Sequence, residues 1–258
     1  MAALRLDRLH SRLLEPLDLL IEAGALLFLS GASGSGKSQL LRAIADLDPH
    51  TGEVWLGDTP RSRMPPALWR RRVGLLPAET CWWAEEVGAH LPLMEHASQH
   101  PLSLGSNTRA SPPAGQPIGR VLKHLAAFTR RSRPRQSATG TAHEPEPASA
   151  TPSQIIDWLA RIGFEPDVLG WSIARLSSGE RQRLALVRLL AQMPTALLLD
   201  EPTANLDPGN GARVESLVTH YRQQQQVAIL WVSHDPLQRA RLGGRALAIR
   251  NARLEPVA

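Results

Sequence analysis

The sequence predicts an α/β fold, and three stretches carry that expectation. Residues 25–29 are an apolar run, glycines and serines follow from Gly31 to Ser38, and apolar residues then recur at Leu40, Leu41, Ile44 and Leu47 with helical spacing. Residues 196–199 are wholly apolar and deliver Asp200 and Glu201, and residues 227–232 are wholly apolar and deliver Ser233 and His234. Short apolar runs that end in polar clusters read as buried strands whose C-terminal ends carry a site.

The bulk properties narrow the class. A chain of 258 residues is long enough for one large domain with an excursion. Hydrophobic residues make up 43% and charged residues 21%, close to globular averages, so a packed core is expected. The single cysteine, Cys81, excludes an internal disulfide framework and fits a reducing compartment. No apolar stretch is long enough to cross a bilayer, and charges interrupt the N-terminus where a signal peptide would carry its apolar run. A soluble, intracellular protein is therefore expected. The net charge of +5 permits contact with nucleic acid or an acidic membrane surface without requiring either, because part of the excess is a local cluster in mid-chain.

Taken in order, residues 1–24 alternate apolar and charged positions through Leu4, Leu6, Leu17, Leu19 and Ile21, which reads as an antiparallel pair ending at Gly24. Gly31, Ala32, Ser33, Gly34, Ser35, Gly36, Lys37 and Ser38 then have the phosphate-binding spacing, with Gly36, Lys37 and Ser38 following the first glycine after four residues. The glycines let successive N–H groups and a helix start converge on a phosphate chain. Lys37 would reach the β- and γ-phosphates, and the Ser38 hydroxyl would ligate Mg²⁺. A Gly/Ser turn that binds nothing is the plainer alternative, and the flanking strand and helix argue against it. A nucleotide-binding chain could stack the base on an aromatic in the opening hairpin, but no Phe, Tyr or Trp precedes Phe28, which leaves His10 as the only ring.

Residues 53–57 read as a strand, 65–71 as a helix and 73–77 as a strand, followed by Ala78, Glu79, Thr80, Trp82, Trp83 and a candidate helix through Leu91. Between 98 and 152 the composition shifts to Pro, Ser, Thr, Gly and Ala, as in a flexible insertion. One island there has Ile118, Val121, Leu122 and Leu125 at helical spacing among Arg120, Lys123, Arg130, Arg131, Arg133 and Arg135. It is either a basic amphipathic helix that touches lipid or nucleic acid, or a solvated segment. Ser153 is a candidate N-cap for a helix over 154–162. A punctuated stretch from Leu176 to Glu180 opens a helix with Leu184, Val187, Leu190 and Ala191 on its core face, which breaks at Met193 and Pro194. At the end of the next strand, Asp200 would serve a metal and Glu201 would polarise an attacking water. Asp207 and Pro208 look like an N-cap and first helical residue for a helix through Tyr221. A lone histidine is usually structural, yet His234 stands at the C-terminal end of a buried strand, where parallel sheets build their sites. Residues 246–250 and 252–254, hinged at Asn251, suggest a closing hairpin.

Together these motifs resemble the ATP-binding subunit of ABC transporters over nearly the whole chain apart from the insertion. Gly31 to Ser38 matches the Walker A loop, Leu176 to Glu180 the family signature, Ala196 to Glu201 Walker B, Ala204 to Asp207 the D-loop, and His234 the switch histidine. The stretches from Leu176 to Asp207 and up to Asp235 are also similar to bacterial iron-export ATP-binding subunits. The resemblance implies a P-loop NTPase (RecA-like) core with an antiparallel β subdomain and a helical signature subdomain. It implies one ABC ATPase domain over 1–258, with residues 79–175 as the helical subdomain region that contains the insertion. It further implies that Gly31 through Ser38, with Gln39, hold ATP, that Ser38 and Asp200 hold Mg²⁺, that Glu201 is the general base, and that His234 and Lys37 contact the γ-phosphate. Ser177 and Gly179 would cap the nucleotide of a second copy, so a homodimer is implied, with a transmembrane permease subunit as partner and a peripheral position on the inner face of the cell membrane.

The departures are specific. The family usually has a glutamine after the strand that ends near Pro77, whereas here Ala78 stands with Glu79 beside it, so that either Glu79 substitutes as an oxygen ligand or metal coupling is weakened. Ser178 replaces a common glycine, and Glu180 a common glutamine. Transport of a metal or small solute is the expected function. A soluble ATPase acting on nucleic acid or the ribosome and a regulator without turnover are the alternatives; nucleic acid is not the expected partner, since neither a second cassette nor a long coiled-coil arm is visible.

Overall fold

Two sheets divide the work of the chain, and their strand patterns differ accordingly. A computed structural model describes residues 2–92 and 148–257, which form one compact unit. Most of the stretch read as an insertion, including its basic island, lies outside the described residues.

The first sheet is antiparallel, in the order β2-β1-β4-β5, with β1 over Leu4–Ser11, β2 over Leu14–Ile21, β4 over Thr51–Leu56 and β5 over Thr59–Pro60. Its burial alternates, as a sheet with one wet face requires. In β1 the buried positions are Leu4 and Leu6, then Leu9 and Ser11, a slip of one residue. Arg8 takes up the slip with φ 45, and the register to β2 and β4 shifts around it, as in a β-bulge. Gly52 packs against that bulge, where an added Cβ would lie 2.2 Å from the Arg8 carbonyl oxygen.

The second sheet runs β10-β9-β3-β8-β7-β6, with β3 over Leu26–Gly31, β6 over Val73–Leu76, β7 over Ala196–Asp200, β8 over Ala228–Val232, β9 over Arg245–Arg250 and β10 over Arg253–Pro256. All pairings are parallel except β10 with β9. Both β7 and β8 are buried at every position, which explains their unbroken apolar sequences. Asn251 and Ala252 turn the closing hairpin with φ 49 and 62.

Helices complete the unit: α1 over Lys37–Ile44, α2 over Pro66–Arg72, α3 over Pro152–Arg161, α4 over Ser178–Leu190, α5 over Pro208–Gln225 and α6 over Pro236–Leu242. Trp69 of α2 is fully buried, and its indole N–H donates to the Ile44 carbonyl at 2.9 Å, satisfying one of the carbonyls that the end of α1 leaves open.

Three expectations are corrected. The N-cap of α3 is Thr151, not Ser153: its hydroxyl accepts from Gln154 N–H while the Gln154 side chain accepts from Thr151 N–H, a reciprocal capping box. The end of the presumed insertion is packed structure, since Ala150 is buried and its N–H donates to the Ala191 carbonyl at 2.9 Å. The candidate helix through Leu91 is only a 3-10 turn over Val87–His90. Trp82 and Trp83 are instead held by Arg188, whose guanidinium lies 4.6 and 4.9 Å from their ring centroids and donates to the Cys81 carbonyl at 2.7 Å.

Candidate functional site

Strand order assembles the site. Because β8 lies between β3 and β7, Val232 pairs with both Leu29 and Asp200, so three chain segments far apart in sequence end side by side. Beyond those ends lie the Gly31–Ser38 loop, the Asp200–Glu201 pair and the Ser233–His234 pair.

The loop is shaped for a ligand. Gly34 and Gly36 adopt φ 77 and 101, and Gly36 caps α1 in the left-handed conformation without any side chain accepting from the first turn. The helix-start N–H groups therefore remain available. Lys37 is buried, and its ammonium donates to the carbonyls of Gly31 at 2.8 Å and Ala32 at 3.0 Å. Ser35 Oγ and Gln39 Oε1 are buried without a hydrogen-bond partner among the described residues. Ala32, Ser33, Gly34 and Ser38 are exposed.

Asp200 is only 7% exposed. Burial raises its pKa above the ordinary value, an effect opposed by a hydrogen bond from Ser38 and by the nearby Lys37 charge and reinforced by the adjacent Glu201. Glu201 follows β7 with φ 50, a left-handed conformation uncommon for a side-chain-bearing residue. Its Oε1 lies 3.1 Å from His234 Nε2. Ser38, Lys37, Asp200, Glu201 and His234, all named from sequence, are thus brought into two groups at the C-terminal ends of three adjacent strands: Ser38 and Lys37 beside Asp200, and Glu201 against His234.

Ser177 and Gly179 do not join them. Ser177 is exposed and caps α4, accepting from Glu180 N–H at 3.3 Å, while its own N–H and hydroxyl donate to Glu180 Oε2 at 2.8 Å. Gly179 faces the turn after β7, where an added Cβ would stand 3.1 Å from Leu206 Cδ2. Asp207 caps α5 by accepting from Asn210 N–H at 3.0 Å. Ala78 and Glu79 are exposed after β6, and His10 is exposed on β1.

Sequence reasoning missed Gln238, a buried side chain of α6 bonded to Ser233 and Thr203. A signal was present: Asp235 and Pro236 form the same N-cap and proline pair as Asp207 and Pro208, and Asp235 Oδ1 does accept from Leu237 N–H at 2.8 Å.

The family model for "ABC transporter" matches residues 14–204, well over half of the chain. The chain belongs to the ABC transporter family. Among ABC proteins it is 29% identical to the Escherichia coli (strain K12) protein named "Probable iron export ATP-binding protein FetA", over 87% of this chain and 79% of the relative. It is 30% identical to the Psychrobacter arcticus "Lipoprotein-releasing system ATP-binding protein LolD", over 95% of this chain and 90% of the relative. The fold is also that of a bacterial Atm1-family ABC exporter solved with ATP bound, with TM-score 0.66 at 16% identity; the match covers 98% of this chain and 38% of that one. The chain is accordingly an ABC ATP-binding subunit with a P-loop NTPase fold, and an ATPase. Among the described residues no helix is long and apolar enough to cross a membrane.

Proposed function

We propose that the chain binds ATP with Mg²⁺ at the Gly31–Ser38 loop and hydrolyses it to ADP and phosphate, driving a separate transmembrane permease. The observation that carries this reading is the meeting of Ser38 and Lys37 with Asp200, and of Glu201 with His234, at the ends of three adjacent strands. The residues fit the ligands. The unpartnered Ser35 hydroxyl and the uncapped start of α1 are donors that a phosphate chain would satisfy, and the unpartnered Gln39 Oε1 is an acceptor that a cation or its bound water would satisfy. Asp200 is a buried carboxylate whose charged form a cation would favour.

Lys37 would exchange the Gly31 and Ala32 carbonyls for the β- and γ-phosphates. Ser38 and Asp200 would hold Mg²⁺, which supplies charge neutralisation on the phosphates. Glu201 would take a proton from the attacking water as its oxygen bonds to the γ-phosphorus and the bond to the ADP oxygen breaks. His234 would keep Glu201 oriented and contact the γ-phosphate. Ser177, which is exposed, and Gly179, which is half-buried, would cap the nucleotide of a second copy, so that the working unit would be a homodimer. Glu79 would serve as the oxygen ligand in place of the glutamine that Ala78 displaces. The chain would sit peripherally on the inner face of the cell membrane, and the likeness to FetA supports a metal or other small solute as exported cargo.

Steady-state phosphate release tests this reading. It should require Mg²⁺ and Lys37, rise more steeply than linearly with protein concentration, and fall at least about 100-fold in Glu201→Gln while ATP binding persists. Turnover at the original rate in Glu201→Gln would remove the general-base assignment.

A further inference from the structure

Glu201 and His234 meet at 3.1 Å although each stands on its own loop and both are partly exposed, with 33% and 49% of the side chain accessible. Beneath the two loops lies Gln238, in the first turn of α6 and 3% exposed. Its Oε1 accepts from Ser233 Oγ at 2.6 Å, and its Nε2 donates to Thr203 Oγ1 at 2.9 Å and to Glu215 Oε1 at 2.8 Å. A carboxylate only accepts, so the Glu215 contact fixes which end of the amide is which. Ser233 precedes His234, and its hydroxyl also accepts from Asp235 N–H at 3.1 Å, so the residues on both sides of His234 are fastened to one oxygen. Thr203 lies two residues after Glu201, in the turn that Ala204 N–H closes by donating to the Glu201 carbonyl at 3.2 Å. Arg241, three residues along α6, donates twice to Glu215 at 3.0 and 2.6 Å and balances its charge.

We propose that Gln238 is the positioning residue for this pair, tying the loop of Glu201 to the loop of His234 through Thr203 and Ser233. The proposal rests on the reading of Glu201 and His234 as the hydrolytic pair. A buried amide with all its contacts satisfied has one favoured placement, and truncating it would leave the Ser233 hydroxyl proton without the Gln238 acceptor and take one donor each from Thr203 Oγ1 and Glu215 Oε1. Each loop would then settle independently, and a displacement of about 1 Å at a reacting group can cost on the order of 100-fold in rate.

Two measurements on the full chain test it: amide hydrogen exchange without nucleotide, and ATP hydrolysis scaled to the nucleotide-binding fraction. In Gln238→Ala, exchange should rise about fivefold or more in peptides covering 200–206 and 232–236 while the β3 peptide is unchanged. The kcat should fall about tenfold or more with KM for ATP held within about twofold, a split that general destabilisation would not give. Thr203→Val, which leaves the amide and its other bonds in place, should loosen 200–206 alone and covers the case in which Gln238→Ala does not fold. Unchanged exchange in both loops, or in 200–206 for Thr203→Val, overturns the proposal. So does loosened exchange with kcat within about twofold of the original. Loosened loops in a chain whose unmodified form shows no Mg²⁺-dependent hydrolysis would leave the tie between the loops standing and remove the hydrolytic reading instead.

Discussion

At the Gly31–Ser38 loop the polar groups reach distant parts of the chain: Lys37 bonds back to Gly31 and Ala32 and lies near Asp200, and Ser38 bonds to Asp200. At the signature stretch they reach only their neighbours, because Ser177 and Glu180 bond to each other and to nothing across the site. One region joins residues from distant parts of a single chain, while the other is a capped helix start whose Ser177 and Glu180 side chains, among the described residues, bond only to each other. The difference follows from strand order, since parallel strand ends converge in one subunit, whereas the start of α4 faces Leu206 in the turn after β7. Under the homodimer reading, this is the division between the half of a nucleotide site that a monomer builds and the half that it lends.

The sharpest way to break that comparison is Gly179→Asp. Its side chain would project from the helix start toward Leu206 and any facing ligand, without touching Lys37 or Asp200. ATP affinity of the dilute protein should stay within about threefold, while kcat falls about 100-fold, equivalent to about 2.7 kcal/mol of transition-state stabilisation. Nucleotide binding at low protein concentration, beside turnover at high concentration, separates the two. An equal loss of both would mean that the signature stretch belongs to the same half-site as the loop.

What could be read from sequence divides along the same line. The phosphate loop, Asp200, Glu201 and His234 were legible because each follows a strand whose unbroken apolar run reports burial on both faces, so local pattern and tertiary position agree. The capping residue of α3 was misplaced from Thr151 to Ser153 because either side chain suits that role in the pattern, and only the reciprocal bonds with Gln154 decide between them. The segment through Leu91 reads as a candidate helix, yet it forms only a 3-10 turn over Val87–His90, and Arg188, more than a hundred residues away, holds Trp82 and Trp83 in the irregular loop before it. Gln238 was missed because its partners, Ser233, Thr203 and Glu215, come from three elements. A buried glutamine on a seven-residue helix has no periodic signature of its own.

A smaller effect, on stability, sharpens the account of the complete half. Burial raises the Asp200 pKa, so the folded chain holds that proton more tightly than the unfolded chain does. Stability from this group is therefore fully present below the ordinary value of 3.8 and is lost as pH rises through the folded value. At neutral pH without nucleotide, Asp200→Asn should stabilise the protein by about 1 kcal/mol, read from denaturant melts, and the gain should vanish below pH 3.8. Mg²⁺ with ATP should reverse the order, since only the carboxylate gains from the cation.

The lent half should show the opposite sign. Backbone and hydroxyl hydrogen bonds from Ser177 hold the Glu180 carboxyl below its ordinary value of 4.5. The capping box therefore contributes fully above pH 4.5 and weakens as pH falls toward the lowered folded value. Because the pair is close to solvent, Glu180→Ala should cost only about 0.5–1 kcal/mol at neutral pH. That cost should shrink in melts at acid pH, while Glu180→Gln, which can still accept from Ser177 N–H, should lose less and show little pH dependence. A Glu180→Ala cost that stayed constant down through the acid range would mean that the carboxylate does not close the box. The exposed start of α4 would then owe its order to packing against Leu206 rather than to its own cap.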